Sequence, residues 1–299
     1  MHAEPATRGA RLPAPDLLLI AITAVWGGTF IVVKTAMQWS GAFTFVGLRF
    51  GLAAVLFGLA CRRMLRGFSR DELRGGIAIG VAVFLGYSLQ TLGLREISSS
   101  ESGFYTALYV PMVPLLQIAL FRVLPRAMAW VGIVMATAGM VLLSNPRAGL
   151  LAIDHGALLT MIGALAMAFE ILLIGRYAVR CNVQRLAFVQ LATVGVLGLG
   201  AALLRGEPMP QFTGGYVACV LAMALVSAFI QFGITWAQRT VPATRATVIY
   251  ALEPVWAALV GVFVGDRLGW LGFIGGALIV LSVIVTELRW PKRRADVAA

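Results

Sequence analysis

Charge is scarce in this chain: of 299 residues only 12% are Asp, Glu, Lys or Arg, while 60% are hydrophobic. A water-soluble domain carries roughly twice that share of charge to cover its surface, so the scarcity excludes an ordinary soluble fold. Lysine is nearly absent. Lys34 and Lys292 are the only two, and neither ends a G-x-x-x-x-G-K-[ST] phosphate loop, which excludes ATP hydrolysis by that route. Histidine is as rare: His2 and His155 fall in a tail and in a connection, too far apart to hold a metal. The three cysteines, Cys61, Cys181 and Cys219, are odd in number and scattered, which is no disulfide framework; small packing residues is the plainer reading. Paired acids within one apolar run, and a serine with a histidine base, are also missing. No metal, cofactor or nucleotide is expected, and the chain is not expected to be an enzyme.

What is present is a series of long apolar runs, with a mean hydropathy of +0.89. A membrane-crossing helix needs about 20 mostly apolar residues. Windows of that size place spans near 16–36, 41–60, 76–95, 102–121, 126–144, 154–176, 184–204, 214–238, 242–265 and 268–288. The fold class expected is therefore all-α: a polytopic membrane protein of ten transmembrane helices with short connections.

The formal net charge of +11 does not signal nucleic acid, because its distribution follows a membrane rule. With the N-terminus inside, eighteen Lys and Arg fall on inner segments, among them the group Arg62, Arg63, Arg66, Arg70 and Arg74. Five fall on outer ends, and Arg49 lies within a span. That bias predicts an N-in, C-in orientation and supports an even number of spans. Arg8 and Arg11 ahead of the run from Leu17 resemble a signal peptide, but no small-x-small cleavage site follows, so a retained first helix is expected. The preponderance of Arg over Lys hints at a GC-rich bacterial source and hence an inner-membrane location.

The chain repeats itself. Trp130-Val131-Gly132 opens the fifth span and Trp270-Leu271-Gly272 the tenth, and Arg49 and Gln90 match Gln190 and Gln231 at nearly the same offset. Five helices per copy is an odd number, so the second copy enters the membrane from the opposite side. Inverted repeats of this kind are a common plan of secondary transporters, with the substrate near the midplane between halves. The domains expected are a cytoplasmic tail (1–15), a first five-helix repeat (16–144), a second, inverted one (154–288) and a tail (289–299). Gly76 and Gly80, and Gly272 and Gly276, stand at the small-xxx-small spacing of closely packed membrane helices.

Trp26-Gly27-Gly28-Thr29-Phe30, followed by Lys34, resembles the first-helix signature of the drug/metabolite transporter superfamily, in its ten-helix EamA-type branch. Leu252-Glu253-Pro254 is similar to that branch's second-repeat signature, and Gly103-Phe104-Tyr105-Thr106-Ala107-Leu108-Tyr109-Val110 to its fourth-span stretch. The resemblance covers about residues 16–288. It implies a basket-like bundle around a central cavity that exports metabolites or amino acids, most like bacterial exporters of amino acids, aromatic ones included. The four-helix multidrug branch uses an acid in its first helix for proton-coupled drug exchange; Leu17 to Thr35 contains none.

Independently of any family, polar groups inside spans are costly and mark pathways. Glu253, eight residues from Arg245, lies about 12 Å deep, and Glu170, six from Arg176, about 9 Å deep. Each either takes up protons, meets a substrate ammonium, or bonds a neighbouring helix; Glu253 can also tie backbone groups that Pro254 leaves unpaired. Arg49 needs a partner, either a substrate carboxylate or a structural ion pair. Helical spacing groups Tyr87 with Gln90, Tyr105 with Tyr109, Trp26 with Phe30, Glu253 with Trp256, and Gln231 with Thr235 and Gln238. Trp39, Trp130, Trp270 and Trp290 sit at span ends and fit an interfacial belt. The expected substrate-lining set is Trp26, Thr29, Phe30, Tyr87, Gln90, Tyr105, Tyr109, Glu170, Gln231, Trp236, Tyr250, Glu253 and Trp256, with Arg49, Glu170 and Glu253 as possible charge or proton sites.

The function expected is export of amino acids or similar small metabolites by alternating access, as a facilitator and a monomer, with lipid and a small molecule as the only partners. The alternatives are a proton-coupled drug/metabolite antiporter and an intramembrane enzyme acting on a lipid-linked substrate. The enzyme reading requires Glu170, Glu253 and Arg49 to converge within hydrogen-bond distance.

Overall fold

The structure is a computed structural model and describes residues 13–97, 99–143, 154–264 and 269–287. His2, Arg8, Arg11, Arg147, Arg267, Trp290, Lys292 and the rest of both tails lie outside the described residues. The described chain is twelve helices without a strand: α1 (Ala14–Ala36), α2 (Ala42–Ala60), α3 (Arg70–Gly93), α4 (Ser99–Thr106), α5 (Tyr109–Phe121), α6 (Ala127–Leu143), α7 (His155–Tyr177), α8 (Val183–Leu204), α9 (Gly214–Ala237), α10 (Ala243–Tyr250), α11 (Glu253–Val264) and α12 (Trp270–Glu287). Their starts are written in local chemistry. Ser69 and Glu72 form a reciprocal capping box at α3, and Asp154, Asn182 and Thr213 accept from backbone N–H groups one turn into α7, α8 and α9.

Among the described residues seven helical stretches are long and apolar enough to cross a membrane, counting α4 and α5 together, and α6 and α12 are shorter apolar helices. With α10 and α11 joined end to end as one more crossing, the chain is a ten-span, all-α membrane protein.

The fourth and ninth spans expected at 102–121 and 242–265 are not continuous, which corrects the reading of ten unbroken helices as regards the fourth and the ninth. The fourth breaks at Ala107–Leu108 and the ninth at Ala251–Leu252. Proline explains both, since it has no N–H and its ring clashes with the carbonyl four residues earlier. Pro111 acts on the carbonyl of Ala107 and Pro254 on that of Tyr250. The chain tightens instead, with Val110 N–H bonding Ala107 O at 3.0 Å and Leu252 N–H bonding Ile249 O at 3.0 Å.

Lipid tails are as apolar as leucine, so close backbone approach has to supply the helix–helix attraction. At the α2–α8 crossing Gly47 meets Gly198 and Gly51 meets Gly195; a Cβ on Gly195 would stand 2.6 Å from Gly51 Cα. At the α6–α12 crossing a Cβ on Gly139 would stand 2.6 Å from Gly275 O. Gly76 and Gly80 do the same for α3 against Val189 and Thr193 of α8. Around these crossings the packing is matched between the halves of the chain. α3 rests on α7 and α8 as α9 rests on α1 and α2, and α7 touches α4 and α5 as α1 touches α10 and α11.

Two acids tie the halves at opposite ends of the α2–α8 pair. The Glu72 carboxylate accepts from the Asn182 N–H at the start of α8 at 3.1 Å and pairs with Arg185 at 3.4 Å. The Glu207 carboxylate, on the connection after α8, accepts from the N–H groups of Phe43 (3.2 Å) and Thr44 (2.8 Å) and from the Thr44 hydroxyl (2.7 Å), at the start of α2.

Candidate functional site

The breaks in spans four and nine face each other. Tyr109 opens α5 and Glu253 opens α11, and the Tyr109 hydroxyl donates to Glu253 Oε2 at 3.3 Å. Both side chains are buried. Discontinuous membrane helices expose backbone ends and carry substrate and ion sites in transporters, and here that point holds a carboxylate at the amino end of a helix, where the dipole favours negative charge.

Aromatic rings enclose it. Trp26 stacks on Tyr87 with centroids 6.3 Å apart and an interplanar angle of 19°, and meets the edge of Tyr250 at 5.9 Å. The Tyr250 hydroxyl accepts from Gln238 Nε2 at 3.0 Å. Trp256, half-buried on α11, donates from its indole N–H to the Thr23 hydroxyl of α1 at 3.1 Å. Gly27 permits this arrangement: a Cβ there would stand 2.8 Å from Ala257 N, 2.8 Å from Trp256 Cβ and 2.9 Å from Glu253 O. The first glycine of the Trp26-Gly27-Gly28 signature therefore seats α1 directly on the turn that carries Glu253 and Trp256. Around Gly28 an added Cβ would meet nothing within 4 Å.

Arg49 is 3% exposed and forms no salt bridge among the described residues. Its Nε donates to the Ser227 hydroxyl of α9 at 3.1 Å, and its guanidinium lies 4.6 Å from the Phe50 centroid and 4.9 Å from that of Tyr87. Aromatic faces stabilise a desolvated cation yet leave its in-plane N–H groups available for a carboxylate. Toward the other end of the bundle Glu170 accepts from Gln231 Nε2 at 3.1 Å. Gln190 donates to the Thr235 hydroxyl at 3.1 Å and to Gln231 O at 3.3 Å, and Gln90 donates to the Thr106 hydroxyl at 2.8 Å. Tyr87 stands within the fields of Arg49, Glu170 and Glu253 alike.

Of the residues expected to line a cavity, Trp26, Tyr87, Gln90, Tyr109, Glu170, Gln231, Tyr250 and Glu253 are buried and gathered on facing helices, with Arg49 beside them. Trp256 borders them. Thr29 is half-buried and its hydroxyl is spent on Trp26 O at 2.7 Å. Phe30 is buried in a separate apolar cluster with Val33, Phe45, Leu94 and Tyr216. Tyr105 stays half-buried against the Phe104 ring, in the fields of Glu101 and Asp154 at the rim.

Trp236 requires a correction. It is 38% exposed on the outer surface of α9, and the reason is angular: five residues from Gln231, it points about 140° away on a 3.6-residue helix. The face through Gln231, Thr235 and Gln238 excludes it.

Participants absent from the expected set include Ser227, Thr23 and Gln190, beside Thr106, Thr235 and Gln238. Ser227 precedes Gln231 by one turn, so the same helical face pointed to it. Gln190 matches Arg49 in the repeat. Thr23 carries no such signal, because only contact with a distant helix singles it out.

The sequence profile of the EamA-like transporter family matches twice, over residues 14–145 and 154–288. A protein of Archaeoglobus fulgidus described as an uncharacterized transporter is 30% identical over 276 residues, which is 92% of this chain and 86% of that one. The uncharacterized inner membrane transporter YedA of Escherichia coli K12 is 28% identical over 287 residues, covering 90% of this chain and 89% of that one. A solved crystal structure superposes with a TM-score of 0.77 at 20% identity, over 92% of this chain and 98% of the other, which speaks for the shared fold. The two profile matches span nearly every described residue, and the chain belongs to the EamA-like transporter family, as a multi-pass membrane transporter.

Proposed function

We propose that this transporter exports amino acids, aromatic and other hydrophobic ones foremost, or similar small metabolites, by alternating access across a bacterial inner membrane. The observation that carries the reading is the composition of the buried region. One guanidinium without a carboxylate partner among the described residues and two carboxylates stand near the rings of Trp26, Tyr87, Tyr109 and Tyr250. A zwitterion with an apolar side chain meets each of these needs at once: carboxylate at Arg49, ammonium near the acids, side chain among rings. A sugar phosphate or nucleotide offers its several negative charges to a site with a single cation. The two profile matches and the matched helix packing support reading residues 16–144 and 154–288 as inverted repeats, and the excess of inner Arg supports both termini in the cytoplasm.

The enzyme alternative loses its main requirement, since Arg49, Glu170 and Glu253 bond to Ser227, Gln231 and Tyr109 rather than to one another. The antiporter alternative has one observation in its favour. Glu170 and Glu253 against Arg49 leave an excess negative charge among the deep residues that a low-dielectric site tolerates poorly, and a proton or a cationic group can balance it.

Purified protein in liposomes should speed the efflux of radiolabelled aromatic and branched amino acids, and unlabelled amino acid on the far side should speed it further by exchange. A panel of amino acids and common metabolites with no flux above empty vesicles would sink the proposal.

A further inference from the structure

The buried polar groups are not evenly satisfied. Eight buried side-chain oxygens have no hydrogen-bond partner among the described residues: Oδ1 of Asp16, the hydroxyls of Ser88, Ser102 and Thr137, and Oε1 of Gln190, of Gln231, of Gln238 and of Glu253. Each of the last four belongs to a side chain no more than 2% exposed. Each amide has already committed its Nε2, to Thr235 and the Gln231 carbonyl, to Glu170 and to Tyr250 respectively, and Tyr109 occupies only one oxygen of Glu253. These four Oε1 atoms can only accept, and they lie in the second half of the chain, on α8, on α9 and at its end, and on α11; the first half's free oxygens are three hydroxyls and one carboxylate oxygen of Asp16, which pairs with Arg245. The matching amide of the first half, Gln90, has no orphaned atom. A buried acceptor left bare is destabilising, and this region leaves several.

We infer that these oxygens, those of Gln231 and Glu253 foremost, form the recognition site for the protonated amine of the transported solute, while Arg49 of the first half recognises its carboxylate. The inference rests on the amino-acid reading above and deepens it. An ammonium carries three donors and no acceptor, which is the complement of a carboxylate oxygen and an amide oxygen set beside aromatic faces. Arg49 starts about 10 Å below the end at which α2 begins, whereas Gln231 starts about 9 Å from the opposite end, where α9 finishes. A bound amino acid is thereby oriented along the transport axis, its carboxylate toward the outer side and its amine toward the inner side. Each half of the protein reads one end of the molecule, and a solute lacking either end forfeits one half's contacts.

The test separates the two ends chemically. Phenylalanine, phenethylamine (no carboxylate) and hydrocinnamate (no amine) are titrated against the purified full-length protein, and the ligand-induced rise in unfolding temperature is read in detergent. The leucine series with its matched amine and acid is run alongside. In Gln231→Leu and Glu253→Gln the concentration needed for a half-maximal shift should rise about tenfold or more for amino acid and amine. It should stay unchanged for the carboxylic acid, whose retained binding shows that the variant is folded. Arg49→Gln should do the reverse, weakening the acid and the amino acid while sparing the amine. The inference is overturned if the amine binds equally well to wild type and to both second-half variants, as it would if those oxygens hold only water, or if neither series stabilises the protein. An amine that binds and depends on Gln231, with no response to the amino acid or to Arg49→Gln, keeps the amine site and overturns the amino-acid reading instead.

Discussion

Gly27 and Gly28 are neighbours in one signature, and their surroundings demand opposite things. At Gly27 an added methyl would press within 3 Å of α11 backbone at the turn of Glu253, and backbone cannot move aside as a flexible side-chain tip can. Overpacking of this kind costs about 1–3 kcal/mol. Gly27→Ala should therefore lower the unfolding temperature of the detergent-purified protein and suppress amino-acid flux, because it displaces Glu253 and Trp256. Gly28→Ala, with open space around it, should leave stability within about 0.5 kcal/mol of wild type, or raise the unfolding temperature through better helix propensity. Equal behaviour of the two alanine variants would mean that α1 does not sit on α11 as described.

At the scale of the helix, the ends of α2 and α8 are held by carboxylates from the opposite half. Helix N-termini expose four unpaired N–H groups, and a carboxylate placed there gains both hydrogen bonds and the dipole's field. Glu207 serves α2 in this way, and Gly41 makes room for it, since any Cβ at that position would overlap the carboxylate. Glu207→Ala should cost about 1–2 kcal/mol, the upper part of the range for losing a cap. Glu207→Asp, too short to reach both Phe43 and Thr44, should recover only part of it. The measurement is the unfolding temperature of each variant, with Glu207→Gln as the control that keeps an acceptor and removes the charge. An unchanged unfolding temperature for the alanine variant would remove Glu207 from any role in joining the halves.

For the molecule as a whole the open issue is the source of energy. A facilitator follows the substrate's own gradient, while a coupled carrier must bind and release an ion from both sides. Glu170 is the deep acid with a single amide partner and no place in a family signature, so it is the one to replace. Glu170→Gln preserves shape and hydrogen-bonding capacity while removing ionisation. Wild-type vesicles should show amino-acid flux that varies little with an imposed pH gradient, and the variant should keep that flux. A wild type that concentrates substrate against its gradient when protons are driven across, and loses this on Glu170→Gln, would establish the coupled alternative.

Sequence and structure divided the determination of this protein along physical lines. The ten spans, their approximate limits and the all-helical class were legible because a bilayer leaves a backbone no other way to satisfy its hydrogen bonds, so hydropathy alone reports them. Helical spacing likewise picked out Tyr87 with Gln90 and Gln231 with Gln238, and distance from the span ends pointed to Glu170, Glu253 and Arg49, which are buried. What it did not reveal is which side of each helix turns inward. Trp236 was expected to line the cavity and faces outward, and Tyr105 was placed with Tyr109 and remains at the rim. The breaks in the fourth and ninth spans are announced by Pro111 and Pro254, yet proline is tolerated inside many membrane helices, so only the folded chain decides that the spans part there and that Tyr109 meets Glu253 across them. The bonds of Arg49 to Ser227 and Trp256 to Thr23 join residues 178 and 233 positions apart. Such contacts depend on how closely glycine lets one helix approach another, a property of pairs of surfaces that no single stretch of sequence contains.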